Sequence, residues 1–257
     1  MKNYFDLTGQ VALVTGCSTG LGVQMAKALA SQGCNIAAVA RRQNLLDDVA
    51  KEISETFGVQ AIGVSCDITS TEQIAATVKT IMDKFGRIDI LINNAGTGAV
   101  APAVEITDEQ FGNELNIDLF GSFKVAREVA KVAMLPAKYG RIINIASMYG
   151  LVGNMAATCA PYHAAKGGVV NLTRALAAEW GKDGITVNSI CPGYFWTPLT
   201  KDTLETDWFA AYAKGAIPVG RYGNEGELDS CALFLASPAS TYVNGQNIAV
   251  DGGYTAI

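Results

Sequence analysis

A tyrosine and a lysine stand four residues apart in the segment YHAAK, residues 162–166. In a helix, positions i and i+4 lie on one face, so Tyr162 and Lys166 would face the same site and His163 would point about 100° away. A phenol has a pKa near 10, and a neighbouring ammonium, or a cationic cofactor ring, would favour the phenolate and lower that pKa. We therefore predict that Tyr162 carries a proton, and we assign no chemical role to His163.

A serine ends the apolar run RIINIAS at position 147. If this run is a strand of a parallel sheet, Ser147 lies at the carboxyl end of the strand, where open α/β sheets bind their ligands. Its hydroxyl could donate to a substrate carbonyl oxygen while Tyr162 exchanges the proton. The alternative is an ordinary serine in the turn that follows a strand.

Three glycines occur in the segment TGCSTGLG, residues 15–22, which lies between an apolar run and a helix-like segment. Gly16, Gly20 and Gly22 give the spacing G-x-x-x-G-x-G. Glycines let the backbone approach a pyrophosphate closely, and the following helix N-terminus offers free N–H groups to it. The pattern predicts a dinucleotide site; a glycine-rich turn without a ligand is the alternative.

Two arginines follow the second apolar run, NIAAVA, which ends at Ala40. A site for NAD(H) usually has a carboxylate at this place to hold the adenosine ribose. Arg41 and Arg42 could instead bind a 2′-phosphate through charge-assisted hydrogen bonds. The sequence favours NADP(H) over NAD(H), with two solvated arginines as the alternative interpretation.

Short apolar runs alternate with amphipathic stretches of ten to fifteen residues along the chain. This alternation predicts repeated βαβ units and a parallel sheet with helices on both faces. We expect residues 1–257 to form a single doubly wound α/β domain of the Rossmann type with seven strands. The rhythm breaks at about residues 194–224, which are rich in aromatic and turn residues and are predicted to form a substrate lid. We call these residues the lid segment.

Composition excludes several classes of protein. The net charge is −5 and no block of like charges stands out, so nucleic acid and anionic membranes are unlikely partners. The first residues lack a signal-peptide pattern and no run of eighteen apolar residues occurs, which predicts a soluble cytoplasmic protein. Six scattered cysteines and a single histidine signal neither disulfides nor a metal site.

Five segments, in this order, resemble the short-chain dehydrogenase/reductase family over essentially the whole chain. They are TGCSTGLG, NNAG at residues 93–96, Ser147, the pair Tyr162-x-x-x-Lys166, and PGYFWT at residues 192–197.

The resemblance implies a role for each matching residue. Tyr162 would be the general acid and base, Ser147 would orient the substrate oxygen, and Lys166 would hold the nicotinamide ribose and lower the tyrosine pKa. The remaining cofactor contacts would come from Gly16, Ser18, Thr19, Gly20, Leu21, Gly22, Arg41, Arg42, Asp67, Ile68, Asn94, Pro192, Gly193, Phe195 and Thr197.

Two departures from the family pattern concern the site. The family usually has an asparagine in the fourth helix that supports a water-mediated proton relay to the lysine, and here Asp118 stands at that place in IDLFGSF. Asp118 could accept a water proton or pair with Lys166, and it brings a charge. The stretch between Ser147 and Tyr162 is also two residues longer than is usual, which we expect to tune specificity.

Within the family the chain looks most like gluconate 5-dehydrogenase and related sugar-acid dehydrogenases. A sugar acid needs a cation for its carboxylate, and Lys201, Lys214 and Arg221 of the lid segment are candidates. The lid aromatics could instead form a pocket for a hydroxysteroid or bile acid, and a 3-oxoacyl reductase is a further alternative. A dinucleotide-binding sensor without catalysis is the least favoured hypothesis. Relatives imply a homotetramer or homodimer.

Overall fold

Seven parallel strands form one sheet in the order β3-β2-β1-β4-β5-β6-β7. The computed structural model describes residues 3–98, 100–155, 158–198 and 200–257. The strands are β1 Val11–Thr15, β2 Asn35–Ala40, β3 Ala61–Ser65, β4 Ile90–Asn93, β5 Gly140–Ile145, β6 Ile185–Pro192 and β7 Asn247–Val250. The predicted seven-stranded parallel sheet is confirmed.

The central strands are buried on both faces. Every residue of β1, β4, β5 and β6 is buried. In β1, Val14 lies opposite Ala38 of β2 on one side and Ile92 of β4 on the other. Helices cover these strands on both faces, so the polar residues that β5 and β6 contain, such as Asn144 and Asn188, are buried as well.

Ten α-helical segments accompany the sheet within the described residues. They are α1 Leu21–Ser31, α2 Gln43–Phe57, α3 Thr71–Phe85, α4 Asp108–Leu115, α5 Ser122–Val129, α6 Leu135–Ala137, α7 Ala160–Trp180, α8 Lys201–Leu204, α9 Asp207–Ala216 and α10 Asp229–Ala236.

Local sequence fixes where several of these helices begin and end. The Ser70 hydroxyl accepts the N–H of Gln73 and caps α3. Thr107 and Gln110 form a reciprocal capping box at the start of α4. Helix α2 ends at Gly58, which has a φ of 69°, a conformation that glycine adopts without steric cost.

Helices cover both faces of the sheet. On one face, Met25 of α1, Leu46 of α2 and Leu235 of α10 belong to the same buried cluster. On the other face, α3, α5 and α7 contribute to a second cluster that includes Val125 and Leu176. This arrangement confirms the doubly wound Rossmann-type fold.

Two π-helical turns interrupt the helical region between residues 108 and 137. The first spans Asn116–Gly121 and joins α4 to α5, and the second spans Ala130–Met134 and joins α5 to α6. The residues at these junctions keep right-handed helical backbone angles, so the region runs as one helix with two wider turns. Such turns shift the side chains that follow and often occur at functional sites.

The lid segment contains helices α8 and α9 and its own small apolar cluster. Leu204, Phe209, Ala213 and Ile217 are buried together there, with tyrosine side chains packed around them. Leu199 of this segment lies outside the described residues, as do Ala156 and Ala157 of the extended stretch after Ser147. In the part of the chain that is described, no helix is long and apolar enough to cross a bilayer.

Candidate active site

The ends of β1 and β4 are tied together where the strand order reverses. The Thr15 hydroxyl accepts the backbone N–H groups of Asn94 and Ala95, both at 3.0 Å. The Asn94 side-chain amide donates back to the carbonyl oxygens of Thr15 and Gly16, at 3.1 and 3.2 Å. Open α/β sheets bind ligands at such a switch point, and these bonds hold its two edges in place. The role of Thr15 was missed by the sequence analysis.

The glycine-rich turn between β1 and α1 requires its glycines. Gly16 and Gly20 have φ values of 64° and 66°, and a Cβ on Gly22 would lie 2.5 Å from the carbonyl oxygen of Gly16. No side chain caps the N-terminus of α1, which begins at Leu21. The N–H groups of Val23 and Gln24 donate to the carbonyl oxygen of Gly20, so the backbone N–H groups before Val23 are the ones available to an anion.

A cleft of about 520 Å³ opens beside this turn and is bordered by the predicted adenosine-side residues. Arg42 Nη2 donates to Ser18 Oγ at 2.9 Å and lies 3.4 Å from Thr19 Oγ1. Asp67 Oδ1 accepts the N–H and hydroxyl of Thr69, which holds the pKa of Asp67 below its usual value. The complete lining is Gly16, Ser18, Thr19, Ala40, Arg41, Arg42, Cys66, Asp67, Ile68, Thr69, Ala95, Gly96, Thr97, Asn113, Asn116 and Ile117.

A second cavity of about 290 Å³ adjoins the first and reaches the catalytic candidates. The two cavities share the walls formed by Gly16, Thr19, Ala95, Gly96 and Thr97. The second is further bordered by Gly20, Leu21, Asn94, Ile145, Ala146, Ser147, Tyr162, Lys166, Pro192, Gly193, Phe195, Thr197 and Thr200.

The two cavities together suit a long, anionic dinucleotide. Arginine guanidinium groups border one end, the glycine turn and the start of α1 lie in the middle, and Tyr162 borders the other end. Of the residues assigned to cofactor or catalysis, Gly22 and Asp118 alone line neither cavity. Gly22 packs against Gly16 under the turn, and Asp118 lies behind Lys166.

Strand β5 and helix α7 position three of the four catalytic candidates, and Asp118 is the fourth. Ser147 follows β5, and its hydroxyl accepts the backbone N–H of Tyr149 at 3.1 Å. Tyr162 and Lys166 lie on consecutive turns of α7, as their spacing predicts, with Lys166 Nζ 5.4 Å from the centre of the Tyr162 ring. Lys166 Nζ also donates to the carbonyl oxygen of Ile145 at 3.1 Å.

Asp118 pairs directly with Lys166. Its Oδ2 lies 3.0 Å from Lys166 Nζ, and its Oδ1 accepts the backbone N–H of Thr97 at 2.8 Å. Asp118 is fully buried and belongs to the first π-helical turn. Of the two interactions that the sequence left open for this residue, the structure shows the pairing with the lysine.

The Lys166 ammonium lowers the pKa of Tyr162, as the sequence predicts, but the net shift of that pKa is upward. Burial raises that pKa above its usual value, and the Lys166 ammonium and the Ser147 hydroxyl offset the rise only in part. The sequence argument counted neighbouring positive charge and omitted both the burial and Asp118, whose carboxylate adds to the rise. Burial alone would lower the pKa of Lys166, but the net shift is upward because Tyr162 and Asp118 favour the ammonium.

A cluster of tyrosine hydroxyls beside the catalytic residues was not predicted. Tyr149 and Tyr194 hydroxyls lie 2.6 Å apart, and the Asn154 side-chain amide donates to Tyr149 at 2.6 Å. The Tyr149 ring also meets the Tyr162 ring edge-on, with centres 6.4 Å apart. Tyr149 is two residues from Ser147, which is the one sequence signal that pointed here. We call Tyr149, Asn154 and Tyr194 the polar wall.

His163 packs behind this wall. Its ring stacks on Tyr149 with centres 4.7 Å apart, and its Nδ1 lies 3.0 Å from the carbonyl oxygen of Cys159. A carbonyl oxygen can only accept, so Nδ1 is the donor in this contact. These contacts agree with a packing role.

The lid cations differ in their surroundings. Arg221 forms a two-pronged ion pair with Glu227, at 2.7 and 2.8 Å, so its guanidinium is already engaged. Lys201 and Lys214 are exposed on α8 and α9. Of the three predicted carboxylate anchors, the two lysines remain candidates.

In the described ranges, no cluster of three or more His, Cys, Asp or Glu side chains is arranged to hold a metal ion. All six cysteines are free thiols, and five of them are buried.

Comparison with known proteins identifies the family of this chain. A family model described as enoyl-(acyl carrier protein) reductase matches residues 16–255. The chain belongs to the short-chain dehydrogenase/reductase family. It is therefore an oxidoreductase, and the alternative of a non-catalytic sensor is not supported.

Relatives of known activity span almost the whole chain. A 2-dehydro-3-deoxy-D-gluconate 5-dehydrogenase from Dickeya dadantii is 38% identical over 257 residues, covering 99% of this chain and 98% of the relative. A 3-oxoacyl-[acyl-carrier-protein] reductase from Vibrio harveyi is 37% identical over 248 residues, covering 96% and 98%. Relatives with different substrates are thus about equally similar.

A solved structure shows the same fold with a cofactor bound. The gluconate 5-dehydrogenase from Burkholderia cenocepacia, in complex with NADP and tartrate, superimposes with a TM-score of 0.94 at 35% identity. The match covers 99% of this chain and 98% of that chain.

Proposed function

We propose that this protein is an NADP(H)-dependent oxidoreductase that interconverts a secondary alcohol and a ketone. The observation that carries the proposal is the placement of Ser147, Tyr162 and Lys166 on one wall of a cavity that continues into an arginine-bordered cleft. A proton donor and an oxygen-orienting hydroxyl thus lie at one end of a dinucleotide-shaped site.

The cofactor preference rests on the end of β2. Arg42, held by Ser18, presents a guanidinium where a 2′-phosphate would be bound, and Arg41 borders the same cleft. The free N–H groups of α1 suit the pyrophosphate. The neighbour from Burkholderia cenocepacia, which binds NADP, supports the same preference. When bound, the nicotinamide supplies or accepts the hydride at the reacting carbon.

The protein's own residues orient the reacting oxygen atom of the substrate and exchange its proton. In ketone reduction, the Ser147 hydroxyl donates to the carbonyl oxygen and orients it, and Tyr162 transfers its phenolic proton to that oxygen. Lys166 holds positive charge beside the phenolate that remains, and Asp118 fixes the position of Lys166. In alcohol oxidation the same groups work in reverse, with the phenolate as the base.

For the substrate, we propose a small sugar acid of the gluconate type. The 2-dehydro-3-deoxy-D-gluconate 5-dehydrogenase relative supports this class. The Tyr149 ring lies against Tyr162, and its hydroxyl, which is hydrogen-bonded to Asn154 and Tyr194, could exchange one of these partners for a substrate hydroxyl group. Lys201 and Lys214 are the candidate partners of the carboxylate.

A 3-oxoacyl substrate is the second candidate, and the Vibrio harveyi reductase favours it. The hydroxysteroid alternative is less well supported, because Phe209, the central lid aromatic, is buried in the lid cluster and offers no surface to a bulky ligand. Trp208 is exposed, but its ring stacks on Tyr212.

We also propose that the lid segment covers the substrate. The protein is further proposed to form a homotetramer or a homodimer. In support of the oligomer, an apolar groove crosses the outer surface of α4, α5 and α7, and Phe120 in it is about half exposed. The groove is bordered by Gly112, Leu115, Asn116, Leu119, Phe120, Phe123, Gly168, Asn171, Leu172 and Ala175.

Initial rates of NADPH oxidation test the function and separate the substrates. We expect turnover of 5-ketogluconate in preference to an acetoacetyl thioester and a keto-steroid, and weaker rates with NADH in place of NADPH. Lys201→Ala or Lys214→Ala should then raise the KM for 5-ketogluconate, whereas Arg221→Ala, whose guanidinium is engaged by Glu227, is the matched control. No turnover of any ketone would contradict the proposed function, and turnover of the thioester alone would establish the second candidate.

A further inference from the structure

Asp118 brings a carboxylate, and not a neutral side chain, into contact with Lys166. Asp118 Oδ2 is 3.0 Å from Lys166 Nζ, and both side chains are almost completely buried. Burying one charge without a partner is costly, whereas a buried pair compensates its own charge. The two groups therefore form one neutral unit directly behind Tyr162.

Several separate elements hold Asp118 in this position. The backbone N–H of Thr97, after β4, donates to Oδ1 at 2.8 Å, and the Ser122 hydroxyl donates to the backbone carbonyl of Asp118 at 2.9 Å. A Cβ on Gly96 would lie 3.0 Å from Oδ2, so the glycine leaves the space that the carboxylate occupies. The π-helical turn places Asp118 at this junction. A carboxylate held by this many contacts has a defined position relative to the lysine.

The charged and titratable groups around Tyr162 come from four elements. Lys166 lies on α7 itself, Asp118 on the π-helical turn, and Cys159 just before α7. Glu114, buried on α4, raises the pKa of Lys166 by less than Asp118 does. Tyr149, after β5, presents its ring edge to Tyr162. Lys166 is the only cation of this set, and Asp118 is the group in contact with it.

We propose that Asp118 is a positioning residue that cancels the charge of Lys166 and thereby keeps Tyr162 protonated, as a proton donor, to higher pH than the lysine alone would allow. This inference rests on the proposed function, because it sets the pH range in which Tyr162 can donate to a ketone. It agrees with the raised pKa of Tyr162, to which Asp118 contributes.

The test is the pH profile of kcat/KM for ketone reduction at saturating NADPH. Activity should fall at high pH as Tyr162 loses its proton. Asp118→Asn keeps the shape and the acceptor for Thr97 and removes the charge, so this fall should occur on the order of one pH unit lower. Glu114→Gln makes the same charge change farther along the network and should shift the profile in the same direction by less. An unchanged or upward-shifted profile in an active Asp118→Asn variant would overturn the proposal.

A spectroscopic titration tests the same claim without catalysis. The chain has nine tyrosines, so the phenolate absorbance of Tyr162 is taken as the difference between the protein and its Tyr162→Phe variant. We expect Tyr162 to ionise at lower pH when Asn replaces Asp118 than in the unaltered protein. An equal or higher ionisation midpoint in Asp118→Asn would overturn the proposal, and if that variant does not fold, the absence of any downward shift in Glu114→Gln would do so. Because this titration needs no substrate, it separates failure of the inference from failure of the proposed function.

Discussion

If the site selects NADPH as proposed, replacement of Arg42 by alanine should leave it barely able to distinguish NADPH from NADH. Arg42 is exposed, and its Nη2 donates to Ser18 Oγ at 2.9 Å, which holds the guanidinium at the mouth of the cleft. It has no carboxylate partner among the described residues, so its charge is free to meet a phosphate. The charge of Arg41 is partly engaged, because it helps to lower the pKa of Asp67.

The size of the effect follows from the bond that is lost. A hydrogen bond to a charged group contributes about 1.5–3 kcal/mol, and the exposed position of Arg42 favours the lower part of that range. We expect the Kd for NADPH to rise about 10- to 50-fold in Arg42→Ala, since each 1.4 kcal/mol is about tenfold. The Kd for NADH should change by less than about twofold, because NADH lacks the 2′-phosphate. Arg41→Ala should cost less than Arg42→Ala.

Fluorescence titration of the reduced cofactors measures both constants directly. The matched control is Arg174→Ala, which removes an exposed arginine on α7 that does not line the cleft. Higher salt should weaken NADPH binding to the unaltered protein more than binding to Arg42→Ala, because screening acts on the missing pair. An equal loss of NADPH and NADH affinity, or no loss of either, would refute the reasoning.

Three further substitutions probe the site and the fold. Ser147→Ala should lower kcat by about 10²-fold with little change in NADPH affinity, because a donor to the reacting oxygen is lost; an unchanged kcat in steady-state assays would contradict this. Tyr149→Phe removes the hydroxyl that joins Asn154 to Tyr194, and should raise the KM for a hydroxylated ketone about 2- to 10-fold while its effect on a ketone without hydroxyl groups stays small. Burial raises the pKa of Asp229 to about 6, so the folded state holds this proton more tightly than the unfolded chain, and stability falls as pH rises from about 4 to about 6. Asp229→Asn should therefore stabilise the protein by about 1 kcal/mol at pH 8, after allowance for its partial exposure, and by nothing near pH 4; denaturant unfolding at both pH values decides this.

The arrangement of the sheet could be predicted because its strands are buried on both faces. Runs such as QVALVT and RIINIAS are too apolar for a solvated sheet, and the segments between them have helical periodicity. The residues that line the proposed cofactor cleft could also be predicted, because the carboxyl ends of parallel strands meet at one edge of the sheet. Asp67 and Arg42 reach the same cleft for this reason.

The net pKa shifts of the site residues could not be predicted from the sequence. They depend on how deeply each side chain is buried and on charged neighbours from distant segments of the chain. The π-helical turn at Asn116–Gly121 has no signature in residue type, yet it carries the carboxylate that meets Lys166. The lowering of the Tyr162 pKa by Lys166 could be predicted from their spacing, but the larger upward effect of burial could not, because burial is a property of the assembled fold. The polar wall combines Tyr149 with Tyr194, which are 45 residues apart in the chain.

The most direct test of the central claim compares the protein with its Tyr162→Phe variant. Phenylalanine keeps the ring on α7 and removes only the hydroxyl, so the fold and the NADPH site should be preserved. We predict that Tyr162→Phe binds NADPH with nearly unchanged affinity and loses ketone reduction by at least about 10³-fold, because no other described side chain at the cavity pairs a proton donor with Lys166. Retention of substantial turnover by a folded, NADPH-binding variant would contradict the account.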